Sequence, residues 1–163
     1  MDEDTFLNLY KVFVRPILEY CQTIWSPHLK YHIEAIENVQ RRATKLVPSI
    51  KDLPYEERLN HINLFKLSDR RRRGDMIYVY KMLKCMVNIN YEKYFTISTN
   101  PYNTRGHHMK ICLGKTPTVN TGTNFFTNRI AVPWNSLPAD VVESKNIDEF
   151  KRKYDKHQEE TKR

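Results

Sequence analysis

The stretch FLNLYKVFVRPILEYCQTIW, residues 6–25, decides the fold. Its apolar residues recur at three- and four-residue intervals, which is the spacing of one face of an α-helix. This face predicts a buried or partner-facing stripe whose main members are Tyr10, Phe13, Ile17 and Trp25. A chain that begins with such a helix is expected to build its core by packing further helices against it.

Pro16 interrupts this pattern because it has no backbone N–H to donate. The sequence therefore predicts either a kinked helix or two short helices, with Pro16 in the first turn of the second. Asn146 and Glu149 have the spacing of a capping box and predict the start of a terminal helix. Periodicity and stop signals predict the remaining helices at about 27–47, 55–61, 66–87 and 147–158.

The composition of the chain changes near residue 88, where Asn, Thr, Gly and Pro become frequent. We predict a helical basic domain over 1–88, a loop-rich connector over 89–123 and a C-terminal segment over 124–163. Alternation around 109–113 is compatible with a small hairpin, so the pattern leaves short strands near 100–130 open. The predicted fold class is mainly α, a small bundle of about four to five helices.

The chain carries 27 Lys and Arg against 19 Asp and Glu, a formal net charge of +8. Such an excess favours polyanionic partners, because neutralising phosphates releases condensed counterions. Three widely spaced cysteines predict free thiols rather than a disulfide framework. The acidic start and the absence of a long apolar run predict an intracellular protein of the nucleus or cytoplasm with no membrane partner.

Each candidate catalytic or metal-binding constellation lacks a required member. Gly114-Lys115-Thr116 matches the end of a P-loop, but Met109 stands where the motif needs its first glycine. His28 and His32 have a zinc-like spacing without the glutamate of the metalloprotease motif. The adjacent aspartates and clustered carboxylates typical of two-metal chemistry are also missing. We therefore expect no catalytic residues, no metal and no cofactor.

Basic residues form the sharpest candidate site, a phosphate-binding surface to which arginine is suited by its bidentate fork. Four consecutive helical residues point around the whole cylinder, so only one or two arginines of the run can face one partner. A solvated helix surface is the alternative reading of the same residues. The candidate residues are Arg41, Arg42, Lys45, Arg70, Arg71, Arg72 and Arg73.

An ordered series of short motifs extends over nearly the whole chain. The motifs are LYK (9–11), VRPILEY (14–20), WSP (25–27), IENVQRRATK (36–45), YEERL (55–59), RRRGD (71–75), VYK (79–81), TRGH (104–107), NFF (124–126), NR (128–129), WNSLP (134–138) and FK (150–151). Taken together, the series resembles the region that follows the polymerase domain in jockey-like non-LTR (LINE-type) retrotransposon reverse transcriptases.

The resemblance implies a thumb-like or post-polymerase segment that packs on a polymerase core and touches a template–primer duplex or element RNA. The endonuclease and the polymerase site of that family have no counterpart in these residues. We therefore expect RNA or DNA backbone as a partner and a non-catalytic role. A protein-interaction module that binds a polymerase core or itself through the apolar stripe, and a decayed relic without function, remain the alternatives.

Overall fold

The computed structural model describes residues 2–98, 106–112 and 124–162. These residues are mainly helical, which confirms the predicted fold class. The helices are α1 (Glu3–Leu9), α2 (Arg15–Glu19), α3 (Gln22–Trp25), α4 (Lys30–Thr44), α5 (Tyr55–His61), α6 (Leu67–Leu83), α7 (Phe126–Arg129), α8 (Ala131–Asn135), α9 (Ala139–Val142) and α10 (Ile147–Lys162). A π-helical turn, Tyr10–Val14, joins α1 to α2, and a 3-10 turn occupies Tyr91–Lys93.

The chain folds as two compact units, Met1–Gly74 (unit 1) and Asp75–Arg163 (unit 2). The boundary falls within α6, whereas the sequence-based division placed its first boundary at residue 88. The composition change near 88 marks the end of a helix, and it does not coincide with the boundary between the units. The second half of α6 supplies Met76, Val79 and Tyr80 to the core of unit 2.

The segment around Pro16 takes the second predicted form, because the proline lies in the first turn of α2. The π-helical turn precedes it, and the N–H of Arg15 donates to the carbonyl of Tyr10, five residues back. A proline ring clashes with the carbonyl four residues before it in a regular α-helix, and the wider π-turn relieves that clash. The extra residue also shifts the register of the helix, so the faces before and after the turn are not continuous.

The apolar core of unit 1 lies where α1, α5 and the 45–54 turn meet. It comprises Phe6, Tyr10, Val47, Ile50, Leu59, Ile62 and Leu64. Helix α4 contributes its polar residues Glu37, Gln40 and Thr44 to the buried part of this unit. The helix ends at Thr44, three residues before the predicted end, and Pro48 follows within one turn.

The core of unit 2 is built on aromatic residues from α6, α8 and α10. Trp134 is fully buried, and Tyr80 stacks on Phe150 with 4.4 Å between ring centroids. The capping box is confirmed: the N–H of Glu149 donates to Asn146 Oδ1 at 2.9 Å, and the Glu149 carboxylate accepts from the N–H of Lys145 at 2.9 Å. Ile97 and Ile111 form an isolated antiparallel bridge, and no strand occurs among the described residues.

The open question of strands near 100–130 is answered only in part. Residue 111 takes part in the isolated bridge, through backbone hydrogen bonds from Ser98 to Lys110 and from Cys112 to Thr96. Positions 99–105 and 113–123 of that segment, including Gly114-Lys115-Thr116, lie outside the described residues.

Candidate functional surfaces

The arginine run on α6 is divided by packing. Arg70 makes a two-point contact with the Glu19 carboxylate, with 3.0 Å between Nη2 and Oε2. Arg71 is buried, with 4% of its surface exposed, and Arg73 is half-buried. Arg72 is exposed. Packing thus draws Arg71 into unit 1 and pairs Arg70 with Glu19, so Arg72 is the exposed member of the run, and the assignment of the run to a phosphate-binding surface stays a prediction.

The basic residues at the end of α4 behave differently. Arg41, Arg42 and Lys45 are all exposed. At about 100° per residue they fall within one arc of about 100°, with Lys45 between the two arginines. Among the residues that the structure describes, none of the three has a carboxylate within ion-pair distance. The structure thus keeps these three candidates together on one accessible surface, which we call the α4 basic arc.

Glu37 explains why Arg41 is not neutralised within its own helix. The spacing of the two residues predicts a local ion pair, but the Glu37 side chain is buried and turned towards α6. Its carboxylate accepts from the N–H of Leu67 at 3.1 and 3.3 Å and from the Tyr55 hydroxyl at 2.5 Å. A carboxylate in this position satisfies an unpaired N–H at the start of α6 and suits the helix dipole.

The same buried network extends through Gln40 to the N-terminal helix. Tyr10 donates its hydroxyl proton to Gln40 Oε1 at 2.5 Å, and Gln40 Nε2 donates to the Tyr55 hydroxyl at 2.9 Å. Burial, followed by the carboxylates of Glu19 and Glu37, raises the pKa of Tyr10. Burial and the hydrogen bond to Glu37 raise the pKa of Tyr55. Both phenols stay protonated, and the network is a structural link between the π-helical turn after α1, helix α4 and helix α5.

The predicted apolar stripe is only partly a surface. Tyr10 is 2% exposed and belongs to the core, so its assignment to an interaction face was wrong. Phe13 is 65% and Ile17 76% exposed, and Trp25 is also exposed. The register shift of the π-turn separates them from Tyr10, which the regular three-and-four spacing had placed on the same face. Three neighbouring apolar residues share their exposure: Leu9, Tyr20 and Ile24.

An open groove of about 460 Å³ lies between the end of α3 and the start of α4. Its walls include Trp25, Pro27, His28, His32 and Ile36, so they are largely apolar. Both of the histidines with zinc-like spacing line this groove. The described part of the chain contains no group of three or more His, Cys, Asp or Glu side chains arranged to hold a metal ion.

In unit 2 several motif residues form hydrogen bonds and an ion pair within the unit. Arg129 makes a two-point contact with the Asp75 carboxylate, at 2.8 Å from Nε and 3.0 Å from Nη2. Asn135 makes two hydrogen bonds with the backbone of Ile111, and the Trp134 indole N–H donates to the carbonyl of Met109. These contacts account for the motif residues by packing and hydrogen bonding.

His107 is buried beside Trp134, with its Nε2 3.0 Å from the Trp134 carbonyl oxygen. Burial lowers the pKa of this imidazole, and the hydrogen bond to the carbonyl partly opposes that effect. Nδ1 is buried and has no hydrogen-bond partner in the described structure. A neutral imidazole that donates from Nε2 fits this environment, and it points to a structural role.

Sequence reasoning missed Arg58, a buried residue of α5 whose guanidinium carbon lies 5.6 Å from the centroid of the Tyr55 ring. The Arg41 guanidinium carbon lies 5.0 Å from the same centroid. Two cations at one aromatic ring are brought together by the packing of α4 on α5. No sequence signal points to this pair, because Arg41 and Arg58 are far apart in the chain and an arginine that follows two glutamates is typical of a solvated helix.

No described helix has the length and apolar character needed to cross a membrane. The chain matches no protein-family model, no curated protein and no solved structure.

Proposed function

We propose that this chain is a non-catalytic module that binds the phosphate backbone of RNA or DNA, and that it derives from the region after the polymerase domain of a jockey-like non-LTR retrotransposon reverse transcriptase. The observation that carries the proposal is the α4 basic arc, whose three cations are exposed and lack carboxylate partners among the described residues. The net charge of +8 and the ordered motif series add support.

The α4 basic arc suits a phosphate backbone better than it suits base readout. Arginine offers a bidentate fork to phosphate oxygens, and lysine adds a compact point charge. Three such contacts position a nucleic acid without reading its sequence. Binding is therefore expected to fall steeply with salt and to show little sequence preference.

The test is a salt series of binding to a structured RNA and to a DNA duplex. The variant carries Arg41→Gln, Arg42→Gln and Lys45→Gln. Each phosphate contact contributes about 0.9 to the slope of log K against log salt on duplex DNA, so the slope should become shallower by about 3.

A matched control removes the same net charge from unit 2 by changing Lys93, Arg152 and Lys156, which are also exposed, to Gln. The proposal requires the control to keep most of the slope of the native chain. If the slope of log K against log salt falls equally in both variants, binding depends only on the overall charge of the chain. The α4 basic arc would then not be the binding surface.

A second function, docking of unit 1 on a protein partner such as a polymerase core, is favoured by the exposed apolar residues Phe13 and Ile17. Monomeric proteins rarely expose contiguous apolar patches of several hundred Å², and such patches often mark interaction sites. Phe13→Ser with Ile17→Ser should barely change the melting temperature, because both side chains are already largely exposed. If docking is the function, the double variant loses binding to a co-expressed polymerase core in affinity capture, and unchanged capture would reject this candidate.

A further inference from the structure

Arg58 is a buried cation without an anion. Only 3% of the residue is exposed, and its Nε and Nη1 atoms are buried without a hydrogen-bond partner in the described structure. No carboxylate among the described residues lies within ion-pair distance of it. A buried guanidinium is costly unless it is paired and hydrogen-bonded, so this side chain has unmet bonding capacity.

Two carboxylates of this region, those of Glu37 and Glu56, are already engaged with other partners. Glu37 accepts from the Tyr55 hydroxyl and from the N–H of Leu67. Glu56 accepts from Lys66 at 2.5 Å, and this contact, together with the charges of Lys66 and Arg41, lowers the pKa of Glu56. Neither carboxylate is within hydrogen-bond reach of Arg58.

Arg41 brings a second guanidinium to the same place. Its Cζ lies 5.0 Å and that of Arg58 5.6 Å from the centroid of the Tyr55 ring, and both distances are in the cation–π range. The hydroxyl of Tyr55 is fixed by Glu37 and Gln40, so the ring is a rigid support for both cations. Of the three guanidinium nitrogens of Arg58, Nη2 is the one that is not among the buried atoms without a hydrogen-bond partner.

We propose that Arg58 and Arg41, held at the Tyr55 ring, form a binding site for a single phosphate group. An oxyanion bound at Nη2 gives the Arg58 guanidinium a charge-assisted hydrogen bond and a counter-charge. Arg41, at the exposed edge, adds a second positive charge. The inference rests on the proposed function for the source of the phosphate, a nucleic-acid backbone, while the site itself is testable with inorganic phosphate.

The first experiment measures the melting temperature of the full chain in sodium phosphate and in sodium chloride at equal ionic strength. A ligand that binds only the folded state raises the melting temperature, on the order of 5 °C when its concentration is ten times the dissociation constant. The native chain and the control Arg152→Gln, which changes an exposed arginine of unit 2 outside the α4 basic arc, should both show this rise. Arg58→Met and Arg41→Gln should not.

The variant Arg58→Met also separates a ligand-binding arginine from a structural one. Methionine fills a similar volume without a charge, so removal of an unpaired buried cation should leave the melting temperature without phosphate unchanged or higher. Arg58→Lys keeps the charge but not the fork, and it should weaken the phosphate response without abolishing it. The proposed site is rejected if phosphate does not raise the melting temperature of the native chain. It is also rejected if Arg58→Met melts at a far lower temperature in chloride and phosphate still raises its melting temperature.

Binding of RNA and DNA to the same variants shows whether the phosphate site or the proposed function has failed. A phosphate response that depends on Arg58, combined with no salt-sensitive RNA or DNA binding, supports the site and rejects the backbone as its source. RNA binding that is lost on changing Arg42 and Lys45 but unaffected by Arg58→Met rejects the site and leaves the proposed function standing.

Discussion

Replacement of Asp75 by Asn is expected to destabilise unit 2 strongly. The Asp75 carboxylate receives two hydrogen bonds from Arg129, at 2.8 and 3.0 Å, and the side chains are 8% and 18% exposed. Removal of one partner from a fully buried ion pair costs about 3–5 kcal/mol, because the other charge is left without compensation. The partial exposure of Arg129 lowers that figure to about 2–4 kcal/mol.

The loss can be measured in unit 2 alone by fluorescence. Trp134 is fully buried in that unit, whereas Trp25 belongs to unit 1, so Trp25→Phe leaves a single reporter. Urea unfolding followed by Trp134 emission gives the free energy of unfolding, and the melting temperature should fall by roughly 10–20 °C. Glu160→Gln serves as the control, because Glu160 pairs only loosely with Lys156 on the surface and its loss should cost less than about 0.5 kcal/mol.

A double-mutant cycle measures the interaction energy between Asp75 and Arg129 separately from the contacts that each makes with other residues. Asp75→Asn and Arg129→Met together should cost clearly less than the sum of the two single changes, because the double variant leaves no uncompensated charge. A coupling energy near zero, or a loss below about 0.5 kcal/mol for Asp75→Asn, would refute the view that this ion pair holds α6 to α7.

Two further changes test the buried polar groups. Glu37→Gln weakens the hydrogen bonds to Leu67 and Tyr55 and should lower the free energy of unfolding of unit 1 by about 1–3 kcal/mol. The amide hydrogen of Leu67 should then exchange faster, and an unchanged exchange rate would contradict this prediction. For His107 the pKa is lower in the folded than in the unfolded state, so unit 2 should be fully stable above about pH 6.5 and lose stability as the pH falls below that value. Urea unfolding from pH 7.5 to 5 measures this slope, which should flatten in His107→Gln; an equal slope in the variant would exclude His107 as its source.

Local sequence rules predicted the elements whose causes are local. The helix at 55–61 and the capping box of α10 were found because a start signal and a periodic face occur within a few residues of each other. A position for Pro16 in the first turn of a helix was one of the two forms that the sequence left open, and the structure takes that form. These are short-range effects, and the sequence contains everything that determines them.

The candidate site was predicted less well because its decisive contacts are long-range. The four-residue spacing assigned Glu37 to Arg41, but the N–H of Leu67 is a better partner since it lies unpaired at a buried helix start. Glu19, 51 positions away in the chain, engages Arg70. A periodicity rule also assumes 3.6 residues per turn, and a single π-turn is enough to separate Tyr10 from Ile17.

The contacts change what the motif series implies. The residue pairs Glu37 with Tyr55 and Asp75 with Arg129 each join two of the motifs quoted above. Each motif pair is therefore explained by one hydrogen bond network or ion pair that the fold needs. These motif residues therefore have a structural role within this chain.

A binding function must then reside in residues that no internal contact explains. Arg42 and Lys45 are exposed and, in the part of the chain that the structure describes, unpaired, while Arg58 is buried with two unsatisfied nitrogens. Stability alone gives no reason to keep such groups, because a buried cation costs free energy and exposed like charges repel. A phosphate ligand would compensate for the buried charge of Arg58 and for the repulsion between the exposed cations. Arg58→Met therefore tests the proposed binding function more directly than any substitution of an ion-paired arginine.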